Sequence, residues 1–356
     1  MKICTFGFRG FPLIEGGVEK HCESLYPLIS KEHEYVVFRR KPYVKTKDTY
    51  NGIRFVDLPS TKVKGLEAVL HSFIATICSV KMRPDVVHIH NIGPAMFAPI
   101  LKLFSIPVVL TYHSPNYEHK KWGALARKIL LFSEKLALKY SDKIIFVNKF
   151  QMEKYPKNIQ DKSVYIPNGI KEPIFSKGID FLEKIEVEPK KYVLSVGRIT
   201  PEKGFDTLIK AFYLAKERDY KLVIAGGVEF ESGYMQELRA LCIDGRVIFT
   251  GAVYGDDLAQ LYSNAALYVL PSNNEGFPLV LLEAMSYQLD VLVSDIPATH
   301  LVELEQEDYF ARGDERELSQ KLDVKLEKPI ARKYKIQDFD WQQVAMQVAV
   351  IYTAIK

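Results

Sequence analysis

The chain predicts an α/β protein of two parallel-sheet domains. Short apolar runs alternate with helical stretches along all 356 residues, and the alternation is interrupted once. The interruption is at 167–189, where Pro167, Gly169, Pro173, Gly178 and Pro189 punctuate a mixed-charge stretch, and it reads as a linker. The first domain is therefore expected over 1–168 and the second over 169–339. A first strand from residue 3 runs into a glycine-bearing turn at Gly7 and Gly10. Further strands are expected at 35–38, 53–56, 85–89, 107–111 and 143–147, separated by helical spacing near 18–30, 65–80, 94–104 and 121–140. The second series places strands near 191–196, 221–226, 246–249, 266–270 and 290–293, and helices near 203–216, 231–241, 255–263 and 278–286. From Asp340 onward the spacing is again helical.

Composition agrees with this architecture. With 47% hydrophobic residues, the chain is long enough to bury two cores. Cys4, Cys22, Cys78 and Cys242 lie far apart with no C-x-x-C pair, so they read as small core residues in a reducing cytoplasm. No apolar run reaches membrane-spanning length and no signal-peptide core follows Met1-Lys2, which points to a cytoplasmic protein, soluble or peripheral on the inner face of the cell membrane. Charge divides unevenly: residues 1–170 hold 26 Lys and Arg against 14 Asp and Glu, and the remainder holds 22 against 30. Arg39-Arg40-Lys41 with Lys45 and Lys47 forms one basic cluster, and 119–132 reads as a basic amphipathic helix. Such a helix suits an anionic membrane and equally an ordinary solvated face over a core stripe. No nucleic-acid-binding module accompanies the charge.

Chemistry concentrates at predicted strand ends, where open α/β sheets bind ligands. After the strand at 265–270, Glu275 sits on a Gly/Pro-bearing loop and Glu283 on the second turn of a helix expected to start at Pro278. Carboxylates only accept hydrogen bonds, which suits vicinal hydroxyls of a ribose or hexose. The loop after the strand at 193–196 carries Arg198 and Lys203 ahead of a helix N-terminus, a combination suited to a diphosphate. Near the start, Gly16 and Gly17 open a helix and allow close backbone approach to a phosphate or sugar. The pattern is not G-x-G-x-x-G, so an NAD site is disfavoured. His88 and His90 share one strand face, but no Cys or carboxylate at ligand spacing joins them, and no metal or other cofactor is expected. His113 follows the strand at 107–112, at its carboxyl end.

These segments together resemble the retaining, two-Rossmann-domain (GT-B) glycosyltransferases of the family 4, group 1 type, a group that includes mannosyl-, glucosyl- and rhamnosyltransferases and sucrose synthases. The resemblance runs nearly end to end: Gly16-Gly17-Val18-Glu19, His88-Ile89-His90, Thr111-Tyr112-His113, Ile166-Pro167-Asn168-Gly169-Ile170, the loop from Gly197-Arg198 to Lys203-Gly204, and the stretch from Glu275 to Glu283. The opening Gly7-Phe8-Arg9-Gly10-Phe11-Pro12 is similar to a bacterial subgroup of cell-surface polysaccharide assembly. The resemblance implies domains facing across a cleft, with the helix at 340–356 crossing back to the first. It implies that Arg198 and Lys203 bind the donor diphosphate and that Glu283 holds the ribose. Glu275, within Glu275-Gly276-Phe277-Pro278, would contact the transferred sugar, and His113 would sit beside its anomeric carbon. Implied partners are a nucleotide-sugar donor and a glycan or lipid-linked acceptor. A sugar-nucleotide epimerase or phosphorylase on the same architecture, or a non-catalytic nucleotide-sugar-binding protein, are the alternatives. Two departures stand out. Ser286-Tyr287-Gln288-Leu289-Asp290 replaces the family's small residue and Gly-x-Pro, so a differently bent turn is expected, and the stretch from Glu305 to Phe310 stands where a glycine-rich turn is common.

Overall fold

The computed structural model describes the whole chain except residues 15, 31, 32, 45, 47–49, 64, 116, 118–122, 229–232 and 356. Two compact units emerge, one of Met1–Gly169 with Asp338–Lys356 and the other of Ile170–Gln337. Each is a Rossmann-like parallel sheet covered by helices. The first contains β1 (Lys2–Phe6), α1 (Gly17–Ile29), β2 (Glu34–Arg40), β3 (Arg54–Leu58), α2 (Leu66–Met82), β4 (Val86–His90), α3 (Ala98–Leu103), β5 (Val108–Tyr112), α4 (Ala124–Tyr140), β6 (Lys143–Phe146), short α5 (Lys149–Met152) and α6 (Lys157–Gln160), and β7 (Ser163–Tyr165). Its strand order is β3-β2-β1-β4-β5-β6-β7, all parallel.

Strand periodicity splits the apolar runs between two faces. Cys4, Phe6, Val36, Phe38, Val87 and Ile89 cluster with Ala75 of α2, Ala98 of α3 and Ala137 of α4. The alternate residues Ile3, Val37, Val86 and Val109 cluster with Cys22, Leu25 and Tyr26 of α1.

The second unit contains α7 (Asp180–Lys184), β8 (Tyr192–Val196), α8 (Phe205–Leu214), β9 (Lys221–Ala225), α9 (Gly233–Leu241), β10 (Val247–Gly251), α10 (Gly255–Asn264), β11 (Leu267–Leu270), α11 (Leu279–Ser286), β12 (Val291–Asp295), β13 (Tyr309–Ala311) and α12 (Glu315–Glu327). Its strand order is β10-β9-β8-β11-β12-β13. The last helix, α13 (Trp341–Ile355), belongs to the first unit, where Trp341, Val344, Val348 and Tyr352 join the cluster of α1.

Some elements depart from the periodicity reading. β7 and β13 are three-residue edge strands, too short to carry a period. Helix α12 escapes notice because its apolar stripe is three leucines, Leu318, Leu322 and Leu326, among charged residues. At the turn where the family carries Gly-x-Pro, Gln288 takes a left-handed φ of +60°. Asp290, beyond it, is held by Lys325 Nζ at 2.8 Å, and Lys325 and Arg332 also clasp the fully buried Asp308 at 2.7 Å each. Asp290 thus follows the turn as an ion-paired anchor.

The two arginines of the basic cluster around residue 40 are buried, and Lys41 is exposed. Arg39 is buried and grips Asp57 through Nε at 2.7 Å and Nη2 at 3.1 Å, while Arg40 is buried near Glu67. Lys45 and Lys47 lie outside the described residues. So does the 119–122 start expected for the basic amphipathic helix, whose described part is α4. Among the described residues no helix is long and apolar enough to cross a membrane, and all four cysteines are free.

Candidate functional site

Both sheets reverse their winding once, between β1 and β4 and between β8 and β11, and loops leaving such a pair diverge to open a crevice at the strands' carboxyl ends. Nearly all the residues singled out by sequence sit at these two places.

In the second unit, the loops after β8 and β11 are fastened to each other. Gly204 has φ of +64°, and a Cβ there would lie 2.1 Å from the Pro271 carbonyl oxygen, so only glycine fits. The Asn273 backbone N–H donates to the Glu202 carbonyl at 2.8 Å, and its side-chain amide donates to that of Pro201 at 3.2 Å. This pinning brings Lys203 against Glu275: Nζ donates to Oε1 at 2.6 Å, with both side chains mostly buried. Ser272, fully buried, donates its hydroxyl to the same carboxylate oxygen at 2.7 Å. The stem of Lys203 runs beside Gly197, where a Cβ would stand 3.5 Å from Cε. Arg198 projects exposed from the same loop.

Beyond Glu275, Gly276 and the buried Phe277 lead into α11. Pro278 lies just before this helix, with φ of −83° and ψ of 79°, rather than in its first turn. Its carbonyl accepts from the N–H groups of Leu281 and Leu282, so it caps the helix. Glu283 is on the second turn, buried, and takes a hydrogen bond from the Tyr262 hydroxyl at 3.0 Å. Tyr287 stacks on Tyr262 with ring centroids 5.2 Å apart, which fixes that ring. The two carboxylates thus have different company, a cation and a serine for Glu275 and a tyrosine for Glu283. Tyr262 and Ser272 were not singled out by sequence. Ser272 stands three residues before Glu275 and was within reach of a spacing argument, whereas Tyr262 comes from a different helix, α10.

In the first unit the corresponding place is lined by a row of histidines. Gly7 has φ of +114° and leaves no room for a Cβ, which would fall 2.1 Å from the His90 carbonyl oxygen. Asn91 Nδ2 donates to the Gly7 carbonyl at 3.1 Å, tying the β1 loop to that of β4. His88 and His90 project from one face of β4 and stack at 4.5 Å. His90 Nδ1 and His113 Nε2 are hydrogen-bonded at 3.0 Å, and His90 Nε2 meets the Tyr26 hydroxyl at 2.5 Å. His88 is bound by the hydroxyls of Tyr352 at 2.6 Å and Thr111 at 2.7 Å. His21, four residues after Gly17 on α1, meets Asn168 Oδ1 through Nδ1 at 2.7 Å and presents its ring edge to His113 and Trp341. His21 was missed by sequence reasoning, although its place on the first turns of α1 was the available signal.

Burial keeps these imidazoles uncharged. It lowers His21 to about 4 and holds His90 and His113 well below the usual histidine range, where the neighbouring rings push in the same direction. His113, at 9% exposure, is the outermost of the row. Ring nitrogens of His21, His90 and His113 lie within 4.8 Å of one another, so among the described residues this trio, not the pair His88 and His90, has metal-ligand geometry.

Gly16 and Gly17 differ in what fixes them. Gly16 has φ of +146°, and a Cβ would collide with the Glu19 carboxylate, which in turn accepts from the Arg9 N–H at 2.9 Å. Gly17 is unconstrained, since a Cβ there would meet nothing within 4 Å.

Comparison with known proteins accounts for both halves. The model for glycosyltransferase family 4 matches residues 15–172 and that for glycosyl transferases group 1 matches 177–337. An uncharacterized glycosyltransferase of Methanocaldococcus jannaschii is 30% identical over 320 residues, 83% of this chain and 81% of that one. A putative glycosyltransferase of Bacillus subtilis is 27% identical over 80% of this chain and 72% of its own length. Among solved structures, sucrose-phosphate synthase from Thermosynechococcus elongatus superposes with a TM-score of 0.83 at 21% identity, over 99% of this chain and 98% of that one. Anabaena HepE in complex with UDP-glucose superposes with 0.80 at 16% identity, over 99% and 100%.

Proposed function

Because the chain belongs to the group 1 and family 4 glycosyltransferases, we propose that it moves a sugar from a nucleoside-diphosphate donor to an acceptor hydroxyl with retention of anomeric configuration. The observation that carries the donor assignment is the fixed Lys203–Glu275 pair at the switch point of the second sheet. Lys203 is held in place by one of its three donors and keeps two for phosphate oxygens. Arg198, on the same loop, is assigned the other side of the diphosphate, and Gly276, Phe277 and Pro278, which follow Glu275 on the loop after β11, are assigned to the donor as well.

As the glycosidic C–O bond breaks, negative charge collects on the β-phosphate. A cation already in position stabilises it without reorganisation. Lys203 and Arg198 make the reaction metal-free in this reading. Glu275 is assigned to the hydroxyls of the transferred sugar, not to nucleophilic attack, because one of its oxygens is already engaged by Lys203 and Ser272. Glu283, steadied by Tyr262, takes the ribose hydroxyls. His113, kept neutral, donates or accepts a hydrogen bond at the sugar hydroxyls without adding charge, and Gly16 and Gly17 admit the donor backbone-close. That HepE was solved with UDP and with UDP-glucose supports a nucleotide-sugar donor of this kind. Relatives described as glycosyltransferases disfavour an epimerase, a phosphorylase or a non-catalytic binding protein. The acceptor is read as a lipid-linked glycan of bacterial surface polysaccharide synthesis, met in the cytoplasm at the inner face of the membrane.

The test is a thermal-shift panel of UDP, GDP, dTDP and ADP with their sugar conjugates in EDTA. A ligand at one hundred times its dissociation constant adds roughly 2.7 kcal/mol. A selective shift by one nucleotide family, abolished in Lys203→Ala, is expected. A folded protein that responds to none of them refutes the reading.

A further inference from the structure

Helix α2 buries His71, Ser72, Thr76 and Ser79 beside Ala75 and exposes Leu66, Val69, Leu70 and Phe73, a stripe at helical spacing turned to solvent. Two of the buried hydroxyls are satisfied within the helix, Thr76 by the Ser72 carbonyl and Ser79 by that of Ala75, both at 2.8 Å. Helix α4 shows a second such stripe, with Leu125, Ile129 and Phe132 exposed on successive turns and Leu131 beside them. Between them lies α3, packed against both, ending in Leu103 at 82% exposure and followed by exposed Phe104. Phe73 of α2 meets Phe97, just before α3, with ring centroids 5.6 Å apart, so the apolar surface continues from helix to helix.

What else is exposed on these helices is the second observation. The exposed charged residues of α2, α3 and α4 are Lys81, Arg127, Lys128, Lys135 and Lys139, with no Asp or Glu among them. Their acids are withdrawn: Glu134 is buried beneath Tyr112 and Tyr155, and Glu67 is engaged by Tyr43 and Arg40. A large apolar patch on a soluble fold marks an interaction surface. A face of aromatic and aliphatic side chains set among cations alone complements a surface that is apolar beneath and anionic above. A second copy of this face would oppose lysine to lysine.

We propose that the α2–α3–α4 face of the first unit docks on an anionic lipid bilayer, with Leu103, Phe104, Leu125, Ile129 and Phe132 entering the interface and the basic residues meeting the headgroups. The proposal rests on the reading of a membrane-borne acceptor given above and deepens it by naming the docking surface.

Co-flotation of the full chain with vesicles tests it, comparing pure phosphatidylcholine with mixtures containing phosphatidylglycerol at low and high salt. Flotation is expected with the anionic vesicles and is weakened by salt. Lys128→Glu with Lys135→Glu should lower the bound fraction roughly tenfold or more, given the contribution of each surface cation. Leu103→Ser with Phe104→Ser should weaken binding also at high salt, with an unchanged melting temperature, since both side chains are solvent-exposed. Binding to neither vesicle, binding indifferent to these substitutions, or a dimer in sedimentation that the same substitutions dissociate would overturn the proposal. A nucleotide-induced thermal shift on the same preparation keeps the two readings apart. Nucleotide response without flotation rejects the surface alone, and flotation without nucleotide response rejects the donor assignment alone.

Discussion

The two sheets offer the same topological crevice and furnish it with opposite chemistry. Where β1 and β4 diverge, the side chains are neutral rings, with His88, His90, His113 and His21 linked through Tyr26, Thr111, Tyr352 and Asn168. Where β8 and β11 diverge, they are ions, Lys203 against Glu275 with Glu283 beyond. Each crevice depends on one glycine whose Cβ would strike a carbonyl across the gap, Gly7 in one and Gly204 in the other. The backbone device is shared, and the electrostatics decide the ligand. A diphosphate needs fixed positive charge, while a hydroxyl-rich molecule is recognised by neutral groups that can both donate and accept.

The largest effect that could break this contrast is loss of the cation. Lys203→Ala is expected to lower kcat about 10²–10³-fold, the usual loss on removing one transition-state donor. The melting temperature should fall as well, because the substitution leaves the mostly buried Glu275 carboxylate without its cation and with the Ser272 hydroxyl still donating to it. Single-turnover kinetics of Lys203→Ala and Arg198→Ala would check it, and unchanged turnover in both removes the leaving-group argument.

Acid separates the units next. His21 has a folded pKa of about 4, below its unfolded value near 6.5, so between those limits the unfolded chain binds more protons and stability falls as pH drops. Its contribution is fully present above pH 6.5 and is lost progressively toward pH 4. It amounts to roughly 3 kcal/mol for this one buried group. The row in the first unit should therefore make that unit the acid-labile one. Calorimetry from pH 7 to 4.5 should show the transition of the first unit moving down, and His21→Gln should flatten that dependence. A first-unit transition that stays put over this range contradicts the neutral assignment.

A smaller change sharpens the contrast within the second unit. Tyr262→Phe removes the hydrogen bond to Glu283 and should cost about 0.5–1.5 kcal/mol of donor binding, read as a severalfold higher KM with kcat nearly kept. A kcat loss equal to that of Lys203→Ala would mean that Glu283 serves the reacting centre and not the ribose.

Removal of divalent metals should have no effect at all, if cations already serve the diphosphate. Turnover and nucleotide affinity in EDTA should match those without it. A stoichiometric metal by elemental analysis, lost in His21→Ala, would instead turn the His21, His90 and His113 trio into a metal centre.

Much of this was legible in the chain. The alternation of apolar runs with helical spacing gave two parallel sheets, and the strand ends pointed to Arg198, Lys203, Glu275, Glu283 and His113. What the sequence hides is partnership at a distance. Lys203 and Glu275 are 72 positions apart, and their loops meet because Gly204 leaves room for the Pro271 carbonyl and Asn273 bonds the facing loop. Tyr262 reaches Glu283 from another helix, and Asn168 reaches His21 across 147 residues. The run of cations at Arg39-Arg40 gives no sign in the sequence of its carboxylate partners, Asp57 and Glu67, which come in from elsewhere. Helix α12 was hidden by a stripe only one residue wide.

Helix α13 carries a consequence for synthesis. Trp341 packs against Gly169, where a Cβ would stand 2.6 Å from its ring, and Tyr352 bonds His88, so the first sheet draws core residues from a segment translated after the whole second unit. During synthesis, therefore, the second unit is fully translated while the first still waits for its cover. In that interval the faces of α1 and of the histidine row are open to water, proteases and chaperones. The order of folding runs against the order of translation, and a chain cut at residue 337 should yield a folded second unit and an unfinished first.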